Sequence, residues 1–363
     1  MSQVQLNYDE RRQPSQQGRA ILEVSNLTVE FAKSGGGGGR TGRFSRKSWI
    51  KAVDNVSFMA YDSEILAIVG ESGSGKSTIA RCILSLTRPT RGSIRYNGVE
   101  VTKLRGRDLL KYRKDVQIIF QDPFESLNPR HDVLAALSLP LRRLAQVKGR
   151  DAVRVSASNL LKEVGLDPSQ VLHRFPHQLS GGQRQRVNIA RALASNPRLL
   201  IADEPITMLD AAQRLKILSL LYELKEKRKL TVLMITHDLA STKIVSDRTL
   251  VMYLGKVVEL GRTEAVLAKP HHPYVNLIME STPSFDFEKQ LAKELQVAPS
   301  ADATVTTSIE DGLTIKKGCA FLPRCKYSTA VCAEADPELA EKSPSHFTAC
   351  HNPLNKSLEA QGQ

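Results

Sequence analysis

The sequence lacks what would carry a chain into or across a bilayer. No apolar run in its 363 residues approaches the roughly 18 needed to span one. The opening Met1-Ser-Gln-Val-Gln-Leu has no apolar core, so no secretory signal is expected and the chain is expected to stay in the cytosol. Cysteine is scarce as well: there are five, and four of them lie beyond residue 318. That is no disulfide framework for a chain of this length, and a reducing compartment is the better fit. Acidic residues are in deficit, 38 against 51 basic, leaving a formal charge of +13. Such an excess fits a polyanionic neighbour: a nucleic acid, a nucleotide or an acidic membrane surface. Hydrophobic residues, at 41%, are ordinary for a globular protein with a real core. The length allows one large domain with an appendage, or two domains.

What is present is organised around Gly70-Glu71-Ser72-Gly73-Ser74-Gly75-Lys76-Ser77, followed by Thr78. This fits the phosphate-binding pattern G-x-x-x-x-G-K-[ST]. The apolar run Glu64–Val69 before it predicts a buried strand, and the stretch from Thr78 predicts a helix. Glycines in such a turn let backbone N–H groups approach phosphates, and the helix dipole adds positive potential. Lys76 is placed to reach β and γ phosphates, and the Ser77 hydroxyl to hold Mg²⁺.

Residues 1–20 are polar and predict a disordered tail. Ile21–Phe31 and Ala52–Phe58 predict strands, separated by the flexible run Gly35–Gly39 and the basic cluster Arg40, Arg43, Arg46 and Lys47. Phe31 is a candidate for stacking on an adenine, with Phe44 and Trp49 behind it. Gly92–Gly98 predicts a strand and turn, and Asp115–Phe120 a strand that delivers Gln121. Residues 122–178 turn helical, with Leu134, Leu137, Leu141 and Leu144 at helical spacing. Leu179-Ser180-Gly181-Gly182-Gln183 opens another helix. After Arg198, the four apolar residues Leu199–Ala202 run into Asp203 and Glu204, and Thr231–Thr236 ends in His237. A carboxylate at the carboxyl end of a buried parallel strand faces the ligand crevice of an open α/β sheet. Thr249–Tyr253 and Lys256–Glu259 predict two closing strands, and residues 281–312 a linker.

Taken in order, Gly70–Thr78, Gln121, Leu179–Gln183, Leu199–Glu204, Thr207–Asp210 and His237 resemble the nucleotide-binding subunit of ABC transporters, over roughly residues 21–262. The resemblance implies an α/β P-loop NTPase: a mostly parallel core sheet, an antiparallel β subdomain and a helical subdomain at about 122–178. It implies ATP hydrolysis, with Ser77, Gln121 and Asp203 around Mg²⁺, Glu204 as base for the attacking water, and Gln121 and His237 beside the γ-phosphate. Leu179–Gln183 would contact the ATP of a second ATPase subunit, identical or paralogous, in a head-to-tail dimer, and Asp210 would lie at that interface. Soluble ABC ATPases that act on nucleic acid are the alternative suggested by the charge. Their long coiled coils, paired cassettes or zinc-finger insertions are missing here, so no nucleic acid is expected.

Gln121–Pro129, the long insertion before Trp49, His272-Pro273-Tyr274 and the cysteine-bearing tail narrow the likeness to the ATPase subunits of oligopeptide/dipeptide importers. That group also serves nickel and oligosaccharides. The narrower resemblance implies two transmembrane permease subunits, a substrate-binding protein, and a peripheral position on the cytoplasmic face of the bacterial inner membrane. Residues 263–363 would be the C-terminal extension. Where the family commonly has Ser-Ala-Leu-Asp, this chain has Thr207-Met208-Leu209-Asp210, which puts the local packing in question. Cys319, Cys325, Cys332 and Cys350 are spaced C-x5-C-x6-C-x17-C, which is not a C-x2-C zinc pattern. A bound metal, a [4Fe–4S] cluster, buried free thiols and a disulfide all fit that spacing, and the resemblance adds weight to the cluster. Cys82 is expected in the core.

Overall fold

Apolar runs bounded by polar residues become the parallel strands at the centre of the chain. The computed structural model describes residues 18–32, 49–122, 126–281 and 318–354. Gly35–Gly39, the basic cluster, Phe44 and nearly all of the linker and N-terminal tail expected above lie outside the described residues.

The strands are β1 (Ala20–Ala32), β2 (Trp49–Tyr61), β3 (Ile65–Val69), β4 (Arg91–Tyr96), β5 (Val99–Glu100) and β6 (Val116–Ile119). They continue with β7 (Leu199–Asp203), β8 (Thr231–Thr236), β9 (Arg248–Tyr253), β10 (Lys256–Arg262), β11 (Ala340–Ser343) and β12 (His346–Thr348). A four-stranded antiparallel sheet has the order β2-β1-β4-β5. An eight-stranded sheet runs β11-β12-β10-β9-β3-β8-β7-β6, and within it β9, β3, β8, β7 and β6 are parallel.

β3 is apolar at every position, and β7 and β8 are apolar through their middles, because both faces of the sheet are covered. Ile65, Ala67 and Val69 of β3 pack with the helical side of the core, and Leu66 and Ile68 with the side under β1 and β2. Helices Val133–Arg143 and Arg150–Glu163 form the expected helical subdomain, with Leu137 and Leu141 turned into that core. Asp132 caps the first of them by accepting from the Ala135 N–H at 2.8 Å. Cys82 is buried in the core, as its type predicts. The helix Gly106–Asp115 has no counterpart in the sequence reading. Tyr112 is its only buried residue, so it carries no apolar stripe to be seen.

The segment from Gly318 to Leu354 extends the central sheet. β12 pairs with β10 (Glu259 opposite Thr348, Leu260 opposite Phe347), and β11 pairs with β12. Glu259, wholly buried, fastens this join. It accepts from the backbone N–H groups of His271 at 2.9 Å and His272 at 2.7 Å, and lies 2.6 Å from His346 Nε2. The His271 and His346 rings stack with centroids 4.1 Å apart. Burial pushes the His271 pKa down to about 4 and that of His272 to about 3. His272 Nδ1 accepts from the Tyr274 N–H at 3.1 Å, as a neutral imidazole does.

Removing one member of a buried, hydrogen-bonded ionic group leaves its partners unsatisfied. Glu259→Ala is expected to lower unfolding free energy by about 3–5 kcal/mol in a denaturant titration, with Glu259→Gln intermediate. A loss within about 0.5 kcal/mol, the range of ordinary surface changes, would show that Glu259 does not anchor the extension.

Candidate nucleotide site

Register brings the polar ends of the parallel strands to one edge. Val69 lies opposite Thr236, and Asp203 opposite Ile235, so Gly70, Glu204 and His237 each follow a strand at the same level. Ile119 pairs with Ala202, which puts Gln121 just beyond that edge as well. The Glu204 N–H donates to the Ile235 carbonyl at 2.9 Å, and its φ of 46° turns the chain sharply there. A glutamate in the left-handed region costs of order 1–3 kcal/mol and persists where its surroundings hold it.

The phosphate loop is wedged between neighbouring backbones. A Cβ on Gly70 would stand 2.2 Å from the Met252 carbonyl oxygen, and one on Gly75, whose φ is 97°, 2.3 Å from that of Ala52. Only glycine fits both places. The Gly255 turn between β9 and β10 stitches the loop to β2: its N–H donates to Ser74 O at 3.1 Å, and its carbonyl accepts from Asp54 N at 2.8 Å. Phe31 lies opposite Ile50, at the end of β1 nearest Ala52, and is 45% exposed. Trp49, on the next pair, is exposed too.

Lys76 opens the helix Lys76–Ile83 and its ammonium is folded back into the loop. Nζ donates to Gly70 O at 2.6 Å, Glu71 O at 2.8 Å and Ser74 Oγ at 3.2 Å. Burial pulls its pKa below the usual lysine range, opposed by the carboxylates of Glu204, Asp203 and Glu71. Ser77 Oγ donates to Asp203 Oδ1 at 3.4 Å. Burial pushes the Asp203 carboxyl up, with the Ser77 hydrogen bond pulling the other way. That carboxylate is short of positive charge, which a cation would supply.

Glu204 is held from several sides. Gln121 Nε2 donates to Oε2 at 2.9 Å, Thr207 Oγ1 donates to the same oxygen at 3.0 Å, and His237 Nδ1 stands 3.3 Å from Oε1. The hydrogen bond with His237 is the main force holding the Glu204 pKa below the ordinary carboxylate value, and it raises that of His237. Glu204 is therefore ionised and oriented at neutral pH. The structure brings together Gly70–Thr78, Gln121, Asp203, Glu204 and His237.

Leu179–Gln183 stands apart as the start of its own helix, Gly181–Leu193. Ser180 caps it, accepting from Gln183 N at 3.2 Å, while Gln183 Oε1 accepts from Ser180 N at 3.1 Å. Gly182 packs on Gln213 of the following helix. Asp210 caps that helix, Ala211–Arg228, accepting from Gln213 N at 2.8 Å. Met208 is 60% exposed, so the larger side chain in Thr207–Asp210 meets no packing limit.

Sequence reasoning missed two contributors. Thr207 entered only as part of a motif. Tyr274, buried, accepts the Glu71 N–H on its hydroxyl at 3.1 Å across a separation of 203 residues. The His272-Pro273-Tyr274 motif drew notice, but no local spacing could reveal a contact that distant. The four tail thiols are free of disulfides. Burial raises the pKa of Cys350 to about 12, and Cys319 N donates to the Cys332 carbonyl at 2.8 Å. Among the described residues, no group of three or more His, Cys, Asp or Glu side chains is arranged to hold a metal ion.

The fold has close counterparts among solved structures. A dimeric ATP-binding cassette in a post-hydrolysis state, bound to ADP and Pi, aligns with a TM-score of 0.58 at 31% identity, covering 67% of this chain and 99% of that one. The cbiO1 protein of Clostridium perfringens, part of the ABC transporter complex cbiONQ, aligns with a TM-score of 0.58 at 27% identity over 72% of this chain and 99% of its own. The ABC transporter family model matches residues 53–207, and the model of the oligopeptide/dipeptide transporter C-terminal region matches residues 258–332. The oligopeptide transport ATP-binding protein AppF of Bacillus subtilis (strain 168) is 41% identical over 333 residues, 91% of this chain and 97% of that protein. OppF of Salmonella typhimurium (strain LT2) is 36% identical over 342 residues, 92% of this chain and 97% of its own. With an ATPase site of this geometry on a cassette of this fold, the chain belongs to the ATP-binding subunits of ABC transporters, in the oligopeptide/dipeptide group.

Proposed function

We propose that this ABC ATPase drives uptake of dipeptides or oligopeptides through a bacterial importer, working on the cytoplasmic face of the membrane. The observation that carries the reading is the convergence of Lys76, Ser77, Asp203, Glu204, Gln121 and His237 at one sheet edge, joined to a C-terminal region of the oligopeptide/dipeptide type. AppF and OppF, named for oligopeptide transport, support the cargo. Nickel or oligosaccharide import by the same machinery is the second reading, since cargo is chosen outside this chain.

Lys76 and the loop amides would neutralise the β and γ phosphates. Ser77 and Asp203 would hold Mg²⁺, with Gln121 at its margin; the ion would supply charge neutralisation at the phosphates. Glu204 would orient the attacking water and take its proton, with His237 and Gln121 fixing the carboxylate. Ser180, Gly181 and Gly182 would offer backbone amides at a helix N-terminus to the nucleotide of a second subunit, in a head-to-tail pair with Asp210 at the contact. The dimeric state of the ADP- and Pi-bound cassette supports such a pair.

No helix among the described residues is long and apolar enough to cross a membrane, so separate permease subunits would supply the span. A groove of about 1070 Å³ beside Gln121, lined by Ile118, Phe120, Leu134, Leu139 and Leu144 with Arg142 among them, is our candidate for receiving a cytoplasmic helix of the permease. Phe120 and Leu139 are exposed there, and Phe120 leads directly into Gln121, which touches Glu204.

Glu204→Gln keeps the shape and loses the base. It is expected to bind ATP, to lose turnover by about 10²-fold or more, and to accumulate as an ATP-bound dimer on size exclusion. Turnover at the wild-type rate would remove Glu204 from the role.

Uptake of labelled dipeptides and oligopeptides, nickel and oligosaccharides in a strain lacking this gene tests the cargo. Loss of peptide uptake alone is expected, restored by the wild-type gene. Leu139→Asp, at an exposed position, is expected to fold normally yet fail to restore uptake or to co-purify with the permease. Loss of nickel uptake alone would turn the assignment to the second reading.

For the tail, we propose a cluster held by Cys319, Cys325, Cys332 and Cys350. Four free thiols, soft ligands, in one short segment support it, with Cys319 and Cys332 joined by a backbone hydrogen bond. Protein purified without oxygen is expected to be brown and to contain iron, lost in Cys325→Ser. A colourless, iron-free preparation would leave the cysteines as packing residues.

A further inference from the structure

The second residue of the phosphate loop is a carboxylate, and it sits where negative charge is least welcome. Glu71 lines the lysine pocket: Lys76 Nζ donates to the Glu71 carbonyl at 2.8 Å, so this carboxylate is carried by a residue beside the place where the phosphates of ATP would bind. An unbalanced anion there repels a nucleotide.

The balance comes from far along the chain. Arg324 Nη1 donates to Glu71 Oε1 at 3.0 Å and Oε2 at 2.9 Å, across 253 residues. The guanidinium lies over the rings of Tyr253 at 5.7 Å and Phe321 at 5.8 Å. Those rings belong to a packed cluster with Tyr274: Tyr253–Tyr274 centroids are 4.6 Å apart and Tyr274–Phe321 5.5 Å. Arg324 ends the short 3₁₀ turn Leu322–Arg324, which is pinned by Leu322 N donating to Cys319 O at 3.1 Å and Cys325 N donating to Leu322 O at 3.2 Å. Tyr274 meanwhile accepts the Glu71 N–H. The extension thus grips Glu71 twice, at its backbone and at its carboxylate.

We propose that Arg324 is a positioning residue of the ATP site: it neutralises Glu71 and holds the carboxylate away from the phosphates, which makes the cysteine-bearing extension part of the nucleotide-binding machinery. The proposal rests on ATP occupying the Gly70–Thr78 loop, and on nothing about cargo or cluster.

The test is a charge-removal cycle in the full-length chain, read by equilibrium binding of a fluorescent ATP analogue. Arg324→Gln is expected to weaken binding about fivefold, through the repulsion of the phosphates by an uncompensated carboxylate. The defect should shrink in high salt, because it is electrostatic. Adding Glu71→Gln to that variant should return affinity to within about twofold of wild type, since the repelling charge is then gone. Arg324→Lys should retain most of the affinity. Any damage to the fold of the extension would be common to Arg324→Gln and the double variant, so recovery in the double isolates the charge. In turnover, Arg324→Gln should raise KM for ATP and leave kcat at saturation little changed. Affinity unchanged in Arg324→Gln, or equally weak in the double variant, would overturn the proposal. Wild-type binding measured alongside separates that failure from a loop that takes no ATP at all.

Discussion

An ammonium without enough counter-charge governs this structure. Lys76 is 5% exposed, and its nearest partners are two carbonyls and a hydroxyl of its own loop. Those are dipoles, not charges, and burial drives its pKa down against the pull of the Glu204, Asp203 and Glu71 carboxylates. A polyphosphate would supply what the loop does not. The topology serves this lysine: β3 sits between β8 and β9, so the loop after it meets the carboxylates at the end of β7 and the histidine after β8. The glycines at 70 and 75 matter for the same reason, since only they let the Met252 and Ala52 carbonyls press on the turn and fix its shape.

The extension is built into this arrangement and is not merely attached to it. β12 prolongs the central sheet beyond β10, and buried Glu259 binds two backbone amides and His346 at the seam. Lys256, which opens β10 after the Gly255 turn, pairs with Asp54 of β2 and with Asp336 of the extension. Phe321 then closes over Tyr253 and Tyr274, the latter holding the loop amide. Coupling through such contacts is reciprocal: whatever steadies the extension steadies the loop, and the reverse.

Much of this was legible in sequence because its causes are local. A strand ending in Asp203-Glu204, a glycine turn before Lys76 and a capped helix at Ser180 each announce themselves within a few residues. The two-sided burial of β3, β7 and β8 was legible for the same reason, as unbroken apolar runs. Other features were not legible, for a physical reason in each case. The helix Gly106–Asp115 buries a single side chain, Tyr112, and so shows no periodicity. The pairing of β12 with β10 has no signal in either strand alone, because three residues of mixed character fit many partners. Arg324 with Glu71 is an ion pair between distant stretches, and one arginine in a basic chain carries no mark of its partner.

The two carboxylates that end β7 differ only by environment, and that difference divides their work. Burial raises the pKa of Asp203, and its carboxylate accepts from Ser77 Oγ at 3.4 Å. It gains most from a cation placed against it. Glu204 turns the other way on a left-handed residue and collects contacts from Gln121, Thr207 and His237, of which His237 first and then Thr207 hold its pKa below the ordinary carboxylate value. Adjacent groups with pKa values driven apart are how one site separates charge neutralisation from proton transfer. The backbone reversal at Glu204 is what makes the division possible. In continued strand geometry, side chains at 203 and 204 would point to opposite faces of the sheet. The turn at 204 keeps both at the edge where Lys76 lies, which accounts for a strained glutamate being held at this position and not replaced by glycine.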